Sequence, residues 1–346
     1  MNQTPLELGF RFPAEFEKHE STWLSWPHKE ASWPGKIESI YPAYSCFVKL
    51  LAQSEKVNIN VVDEAMRASA VKHLATAGAD LSQILFHLNP TNDAWCRDHG
   101  PAFLVHDNEK KRAIVDWDYN AWGGKYPPHD LDDVIPTRIG KTLNLPVFHP
   151  KIIMEGGSVE FNGQGTVMTT TACLLNKNRN PQLNKAQIEK YLLDYYGQQQ
   201  VLWLHDGIVG DDTDGHIDDL TRFIDSHTVI TVVESDPADE NYALLQENLE
   251  LLKKMRLPDG KPLKIIELPM PEKVFHEGQR LPASYGNFYI CNKYVIVPTF
   301  RCKRDHVALE ILQQCMPDHE VVGIDSVDII WGLGSFHCLS QQEPAI

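Results

Sequence analysis

The feature that most constrains the fold of this chain is a pattern that returns along nearly its whole length. Apolar segments of strand length alternate with segments of helix length, and a polar turn closes each group about every 60 to 70 residues. The turns lie near residues 27, 98, 155, 216, 285 and 337. Weak self-similarity of this period is typical of radially repeated α/β architectures, in which equivalent turns meet at one axis. Since no linker-like segment interrupts the pattern, it predicts a single α/β domain over residues 1–346.

Local patterns predict the individual elements of this repeat. Helix periodicity is found in the segments 37–56, 64–76, 185–196, 239–255 and 307–315. Short apolar segments predict strands at 57–62, 81–88, 102–105, 113–119, 143–148, 165–171, 201–204, 223–233, 263–268, 288–298 and 321–330. Residues 120–133 contain two glycines and two prolines and are predicted to form a long loop.

Charge and cysteine content narrow the functional classes. The formal net charge is −15, so no nucleic-acid partner is expected, because phosphate binding needs a basic face. A small cationic substrate would be attracted instead. Seven cysteines without CxxC pairs argue against a disulfide framework and a structural zinc site. The N-terminus carries no signal pattern and no apolar run has membrane-spanning length, so we expect a cytoplasmic protein with no membrane partner. The sequence leaves homo-oligomerisation open.

Cys338 is the candidate nucleophile. It follows the predicted strand 321–330 and a turn containing Gly332 and Gly334, whose backbone can approach a ligand closely. An unpaired cysteine is more often a small buried hydrophobe, but hydroxyl and amide side chains follow this one directly. The two glycines do not begin a dinucleotide site, because His337 stands where the third glycine of that fingerprint is required.

Other polar turns supply candidate partners for the thiol. Asp98 and Glu155 each stand in such a turn, and His216 and Asp218 share a third. Residues two apart in an extended segment point to the same face, so His216 and Asp218 can address one bound group together. Trp95 is a candidate substrate-binding residue, although a tryptophan more often belongs to the core.

The acidic stretch 211–219 has alternative interpretations. Its acids could cap a helix or a turn, and this structural interpretation remains open for the stretch taken alone. A calcium loop is excluded, because its first and twelfth ligand positions would be Gly210 and Thr221 rather than carboxylates. An HxD pair alone is also too little for a zinc site.

Seven stretches resemble signature sequences of the agmatine deiminase and bacterial peptidylarginine deiminase family. They fall in order over nearly the whole chain, as NDAWCRDHGP (92–101), NAWGGKYPP (120–128), MEGGS (154–158), LLNKNRNP (174–181), TDGHIDD (213–219), PASYGNFYICN (282–292) and GLGSFHCLSQQ (332–342). The resemblance implies the five-bladed, pentein-type α/β propeller of the guanidino-group-modifying superfamily, with its active site on the central axis. It also implies an enzyme that uses neither a metal nor an organic cofactor.

The resemblance implies a role for each candidate residue. Cys338 matches the nucleophile of the family and His216 its general acid/base. Asp98 and Asp218 match the carboxylates that clamp the guanidinium, and Glu155 matches the acid that positions the substrate and the histidine.

One position departs from the pattern of the family. The usual triplet of glycines before the His-Cys pair here reads Gly332-Leu333-Gly334. Leu333 is expected to narrow or reorient the turn and so to change the shape of the pocket, but not the position of the thiol.

The chemistry of a guanidinium fits these residues. The group stays protonated at physiological pH, and planar pairing with two carboxylates holds it in line and removes its solvent. A thiolate can then attack its carbon and form an amidino-cysteine, which water hydrolyses. The predicted reaction converts agmatine and water to N-carbamoylputrescine and ammonia, and the alternative is deimination of peptidyl or free arginine to citrulline.

Two other functional classes fit the sequence less well than a deiminase. A thiol hydrolase of the papain or transglutaminase type would place its cysteine at the start of a helix and upstream of the histidine, whereas Cys338 is followed by eight residues. A non-catalytic binding protein on the same fold would not need a thiol, an imidazole and three acids together.

Overall fold

The computed structural model describes residues 3–346, and short strands dominate it. In chain order these are β1 (His19–Ser25), β2 (Lys56–Val61), β3 (Ile84–Leu88), β4 (Ala102–His106), β5 (Lys111–Val115), β6 (Val147–Phe148), β7 (Val159–Phe161), β8 (Thr166–Thr170), β9 (Gln200–Leu204), β10 (Thr221–Phe223), β11 (Thr228–Val233), β12 (Lys264–Pro269), β13 (Phe275–His276), β14 (Gln279–Arg280), β15 (Tyr289–Ile290), β16 (Tyr294–Thr299), β17 (Glu320–Asp325) and β18 (Ser340–Pro344). This is a mixed α/β fold, as the sequence predicts.

Helices connect many of these strands. They are α1 (Ile37–Leu51), α2 (Glu64–Ala77), α3 (Cys96–His99), α4 (Ala121–Gly124), α5 (Ile135–Leu143), α6 (Thr171–Leu174), α7 (Lys185–Tyr196), α8 (Tyr242–Lys254) and α9 (Arg304–Cys315). The boundaries of α7 follow directly from its sequence. Asn184 and Gln187 form a reciprocal capping box at its start, and Gly197 ends it in the left-handed conformation with φ of 63°.

Five sheets within residues 3–346 share one connectivity. The first strand pairs antiparallel with the second, and the second pairs parallel with the third after a helical crossover. Their strand orders are β4-β5-β6, β7-β8-β9, β10-β11-β12, β15-β16-β17 and β18-β1-β2-β3. In the last of these the C-terminal strand pairs with the first strand of the chain, and β3 extends the sheet by one parallel strand. The repeat read from the sequence therefore corresponds to a repeated sheet.

Helix α1 connects the core to the turn that carries the thiol. One face of α1 is buried, and its Phe47 packs against Phe336 with ring centroids 5.0 Å apart. Phe336 lies two residues before Cys338 and is fully buried. Burying an aromatic ring of this size contributes about 1.5–3 kcal/mol, so this contact fixes the turn against the first sheet.

The segment between β5 and β6 differs from its prediction. Helix α4 lies inside the predicted loop 120–133, where the Asn120 side chain accepts a hydrogen bond from the Gly123 amide at 2.8 Å. The predicted strand 143–148 is shortened to β6, because α5 extends to Leu143 and ends at Asn144 with φ of 53°.

The C-terminal segment also differs from its prediction. The predicted strand 321–330 ends at Asp325, and the chain continues into a 3-10 turn over Ile330–Gly332. Ile329 and Ile330 are apolar because they are buried rather than because they are extended. Strand β18 was not predicted, since its sequence is polar and all five of its residues are nevertheless buried.

Within the described residues, no helix combines the length and the apolar character that crossing a membrane requires.

Candidate active site

Equivalent positions in the five sheets carry the polar residues of the site. In each sheet one or two of these residues lie in the turn directly before the first strand, which is β4, β7, β10, β15 or β18. The residues are Asp98, Glu155, His216 with Asp218, Asn287, and Cys338. All of them are at most 5% exposed. The structure therefore brings together five of the six predicted turns, all but the turn near residue 27. In the turn near residue 285 the residue that reaches the site is Asn287, which was not predicted as a site residue.

Gly157 marks the point where three of these side chains converge. A β-carbon at this residue would lie 2.5 Å from His216 Nδ1, 2.9 Å from Asp98 Oδ1 and 3.0 Å from Asp218 Oδ2. Such distances leave no room for any side chain. The glycine of the MEGGS motif therefore allows the imidazole and both carboxylates to meet. His216 and Asp218 address one place as predicted, although their backbone runs into a 3-10 turn rather than an extended strand.

Asp98 is held by one side chain and one backbone amide. Its Oδ2 accepts from Trp122 Nε1 at 2.9 Å, and its Oδ1 accepts from the Gly157 amide at 3.0 Å. Burial and the nearby negative charges of Asp218 and Glu155 raise the pKa of Asp98 to about 6, against the opposing effect of His216. The carboxylate therefore lies in a site that favours the approach of a cation.

Asp218 has one bonded oxygen and one free oxygen. Its Oδ2 lies 2.7 Å from His337 Nδ1, whereas Oδ1 is buried without a hydrogen-bond partner in the described part of the chain. Burial opposes ionisation, but the hydrogen bond and charge of His337 outweigh burial and lower the pKa of Asp218. Asp218 is thus an ionised carboxylate with an unused acceptor.

His337 connects Asp218 to a buried ionic network. Its Nε2 lies 2.8 Å from Glu15 Oε2, and Glu15 also pairs with Arg222 at 2.8 Å and with Arg97 at 3.1 Å. Burial opposes the charge of Glu15, but the charges of Arg222, His337 and Arg97 hold the pKa of this carboxyl well below its ordinary value. No local sequence pattern predicts Glu15 as part of the site, because it lies more than 300 residues from His337 along the chain.

His216 is buried without a hydrogen bond. Neither ring nitrogen has a hydrogen-bond partner among residues 3–346, and Asp98 Oδ1 lies 3.7 Å from Nδ1. Burial disfavours the charged ring, but Asp98, Cys173 and Asp218 together outweigh burial and raise the pKa of His216 well above its ordinary value. Such an imidazole can carry a proton and still has both nitrogens available to a bound molecule.

Glu155 lies beside His216, and Arg179 fixes its carboxylate. Its Oε1 accepts from Arg179 Nε at 2.6 Å, and Arg179 in turn pairs with Asp214 at 2.6 Å. The thiol of Cys173 lies 4.0 Å from Glu155 Oε2. Arg179 belongs to the LLNKNRNP motif, so the structure explains why this stretch accompanies the acidic turns.

Cys338 is a buried thiol among acids. Asn287 Nδ2 donates to its Sγ at 3.0 Å, and Asp218 Oδ2 lies 3.7 Å from the same sulfur. Burial and then the negative charges of Asp218, Asp219 and Asp98 raise the pKa of the thiol well above its ordinary value. In the empty site the sulfur is therefore protonated at neutral pH.

A cavity of about 270 Å³ opens onto Cys338 and Asp98. Four large aromatic side chains are among the residues that line it, namely Trp95, Trp122, Tyr126 and Trp331. Trp95 stacks on Trp33 with ring centroids 5.1 Å apart and is 4% exposed. Trp95 is therefore both a core residue and a wall of the cavity, while Trp122 was not predicted as a site residue.

Leu333 lines the same cavity in an unusual backbone conformation. Its φ is 69° and ψ is 15°, in the left-handed region that favours glycine. This explains why a glycine is usual at this position in the family that the sequence resembles. The leucine adds a side chain to the cavity wall, in agreement with the expected change in pocket shape.

Known proteins resemble this chain over nearly its whole length. Residues 11–344 match the family described as Porphyromonas-type peptidyl-arginine deiminase. A protein of Legionella pneumophila (strain Paris), provisionally named as an agmatine deiminase, is 38% identical over 99% of this chain and 98% of its own length. The solved structure of an agmatine deiminase of Enterococcus faecalis catalysing its reaction is 35% identical, with a TM-score of 0.93 over 100% of this chain and 98% of that chain. A cysteine-to-serine variant of the C. jejuni agmatine deiminase with substrate bound is 34% identical, with a TM-score of 0.87 over 96% of each chain.

Proposed function

This chain belongs to the Porphyromonas-type peptidyl-arginine deiminase family, and we propose that it hydrolyses agmatine to N-carbamoylputrescine and ammonia through an amidino-cysteine on Cys338. The observation that carries the proposal is the position of the thiol. Its sulfur lies 3.7 Å from Asp218 and shares a cavity with Asp98. A guanidinium bound to the two carboxylates would therefore present its carbon to the sulfur.

Asp98 and Asp218 hold the guanidinium in this mechanism. Both are buried, and each bonds through an oxygen that fixes its plane. Charge-assisted pairing of a planar guanidinium with carboxylates is strong and directional. A bound cation also offsets the repulsion between the two acids, so binding energy is largest for a substrate that carries this charge.

The substrate itself activates the nucleophile. The acids around Cys338 raise the pKa of its thiol in the empty site, and a guanidinium placed between them supplies the missing positive charge. The Asn287 amide, which donates to the sulfur at 3.0 Å, stabilises the anion further. Thiolate formation is thereby coupled to the presence of a substrate.

His216 transfers the protons. The thiolate attacks the guanidinium carbon, and the tetrahedral adduct expels ammonia after accepting a proton from His216. The neutral imidazole then takes a proton from water, which attacks the amidino carbon. Cleavage of the carbon–sulfur bond returns the thiolate and leaves the ureido product. Both ring nitrogens of His216 are free of other hydrogen bonds in the described chain, as this double role requires.

Glu155 and Trp95 complete the proposed site. Glu155 lies beside His216 and is fixed by Arg179 at 2.6 Å, so we assign it to positioning the imidazole and the distal nitrogen of the guanidinium. Trp95 lines the cavity next to Cys338, and its flat face would pack against the substrate.

The cavity favours agmatine over free arginine. Among the described residues that line it are Asp93, Asp98 and Asp212, and none is a lysine or an arginine. This lining suits a second positive charge, such as the amine of agmatine, and offers no cation to the carboxylate of arginine. A volume of about 270 Å³ also suits a small ligand, because pockets for larger molecules begin near 300 Å³.

Two broader assignments accompany this function. We propose that the five sheets are the blades of a pentein-type propeller within one domain over residues 1–346, with the polar turns around its axis. We also propose that the enzyme acts in the cytoplasm, where reducing conditions keep its cysteines as thiols.

A substrate panel tests the function. Agmatine, free arginine and an arginyl peptide are incubated with the enzyme, and ammonia and ureido product are measured for each. We expect agmatine to have the highest kcat/KM by a wide margin. A higher kcat/KM for an arginyl peptide would replace the proposal by the alternative, and failure of all three would remove it. Acid quenching during turnover, followed by mass spectrometry, should show the amidino adduct on Cys338.

A further inference from the structure

Glu155, Cys173 and His216 form a buried cluster of potential metal ligands. One ligand atom from each lies within 4.8 Å of the others, and all three residues are buried. They offer a carboxylate oxygen, a sulfur and an imidazole nitrogen, which is a typical donor set for zinc. The proposed reaction uses Glu155 and His216 but gives Cys173 no role.

The donor atoms of the cluster are free of competing bonds. His216 is 1% exposed, and both of its ring nitrogens lack partners in the described residues. Arg179 Nε donates a hydrogen bond to Oε1 of Glu155 at 2.6 Å, whereas Oε2 lies 4.0 Å from Cys173 Sγ. Buried imidazole nitrogens without partners are rare and indicate a place for a bound group.

The residues around the cluster hold two of its members in place. Thr170 caps helix α6 by accepting from the Cys173 amide at 3.3 Å, and its hydroxyl donates to the Gly215 carbonyl at 2.6 Å. Gly215 directly precedes His216, so the cysteine and the histidine are tied to the same short stretch. Support of this kind around the ligands tunes metal affinity.

We propose that Glu155, Cys173 and His216 bind a divalent zinc-class cation that inhibits the enzyme. This goes beyond the proposed deiminase function, in which no metal takes part. Zinc ligands at bond lengths of about 2.0–2.3 Å lie less than about 4 Å apart, so side-chain shifts of about 1 Å close the site. Three protein ligands leave the fourth zinc position for water, and Cys173 and His216 each release a proton to solvent on binding.

The inhibition has two physical causes. A metal bond to His216 occupies a nitrogen that the reaction needs for proton transfer. The positive charge of the metal also offsets the negative charge of the acids that otherwise attract the guanidinium. Zinc and agmatine should therefore compete.

Cobalt binding tests the site without using activity. Cys338→Ser protein is titrated with Co²⁺, and the thiolate-to-cobalt charge-transfer absorption in the near ultraviolet is recorded. We expect the band to appear with one equivalent of cobalt, to weaken on addition of agmatine, and to vanish in Cys338→Ser/Cys173→Ser. A band that is absent from Cys338→Ser, or that survives loss of Cys173, overturns the proposal. Because no turnover is involved, the result does not depend on the deiminase function.

A zinc-loaded sample provides a measurement that needs no Cys173 variant. X-ray absorption of Cys338→Ser protein with one equivalent of zinc should show a single sulfur at about 2.3 Å and nitrogen or oxygen at about 2.0–2.1 Å. A shell without sulfur would contradict the proposal even if Cys173→Ser failed to fold.

Zinc inhibition of the otherwise unmodified enzyme gives the kinetic counterpart. Half-inhibition of Cys173→Ser should need at least about tenfold more zinc, since even loss of a partner outside the ligand shell weakens metal binding by about 10- to 100-fold. Cys291→Ser serves as the matched control, because Cys291 is equally buried and bonds to Ser54 outside the site. Equal zinc sensitivity of both variants would contradict the assignment.

Discussion

His337 directly precedes Cys338, and its Nδ1 lies 2.7 Å from Oδ2 of Asp218. This contact uses Oδ2 of Asp218 and leaves Oδ1 buried without a partner in the described chain. A buried carboxylate oxygen without a donor is costly. The arrangement therefore favours binding of a group that brings both hydrogen-bond donors and positive charge.

Cys338→Ser should fold normally and lose nearly all turnover. A serine hydroxyl has far too high a pKa to attack a guanidinium in place of a thiolate. Ureido product formation measures the loss, and circular dichroism checks the fold. Cys291→Ser, which removes a buried thiol elsewhere, should keep its activity. More than a few per cent of residual turnover in Cys338→Ser would remove Cys338 from the nucleophile role.

Asp98→Asn and Asp218→Asn should each lower kcat/KM by more than about 100-fold. Each replaces an anionic acceptor by a neutral amide of similar shape, and truncating a buried charge pair costs about 2–5 kcal/mol. Asp116→Asn is the control, since Asp116 is also buried but bonds to Thr137 outside the site. Near-normal kinetics in either site variant would exclude that acid from the guanidinium clamp.

The pH profile of kcat/KM should show an acid limb at about pH 6. The raised pKa of Asp98 means that the ionised carboxylate is lost as the pH falls through this value, and kcat/KM reports groups of the free enzyme. The charges of His216, Asp218 and Glu155 act on the same carboxyl and help to set the pKa of Asp98. Trp122→Phe removes the hydrogen bond that favours the ionised form, so its limb should move to higher pH. A limb that stays in place or moves lower would show that another group controls the profile.

Leu333→Gly should be nearly neutral for stability and should relax substrate selection. Glycine adopts a φ of 69° freely, whereas this conformation destabilises a leucine by about 1–2 kcal/mol. Relief of this strain offsets the stability that is lost with the side-chain contacts. Leu281→Ala, a buried cavity residue without positive φ, should cost about 2–5 kcal/mol. Urea unfolding compares the two, and guanidino compounds bulkier than agmatine should gain in relative kcat/KM with Leu333→Gly. Unchanged selectivity would show that the leucine does not limit the cavity.

Glu15→Gln should destabilise the fold by about 3–5 kcal/mol, because it leaves Arg97 without its buried anion and leaves Arg222 with Glu160 alone. Turnover should fall as well, since His337 loses the partner that orients it toward Asp218. Glu17→Gln is the control, because the Glu17 ion pair with Arg11 is about a third exposed and should contribute less than about 1 kcal/mol. The stability difference should shrink at low pH: the folded pKa of Glu15 is depressed, so its contribution is lost as the pH falls toward that value. Equal melting temperatures for both variants would contradict this account.

The sequence determined the repeat, the α/β class and the candidate residues of the site. Strong local signals explain this success. Helix α7 has the predicted bounds, Lys185–Tyr196, because its caps and its periodicity lie within a single stretch. The turns that carry Asp98, Glu155, His216 and Cys338 could be recognised because glycines and polar residues interrupt apolar segments there.

Tertiary structure alone decided how those turns are completed. Strand β18 is polar in sequence, and it is a buried strand because β1 pairs with it. Asn287 reaches Cys338 across 51 residues, and Glu15 reaches His337 across 322. No local pattern encodes such contacts, because the free energy of a buried charge depends on partners that only the folded chain brings within hydrogen-bond distance.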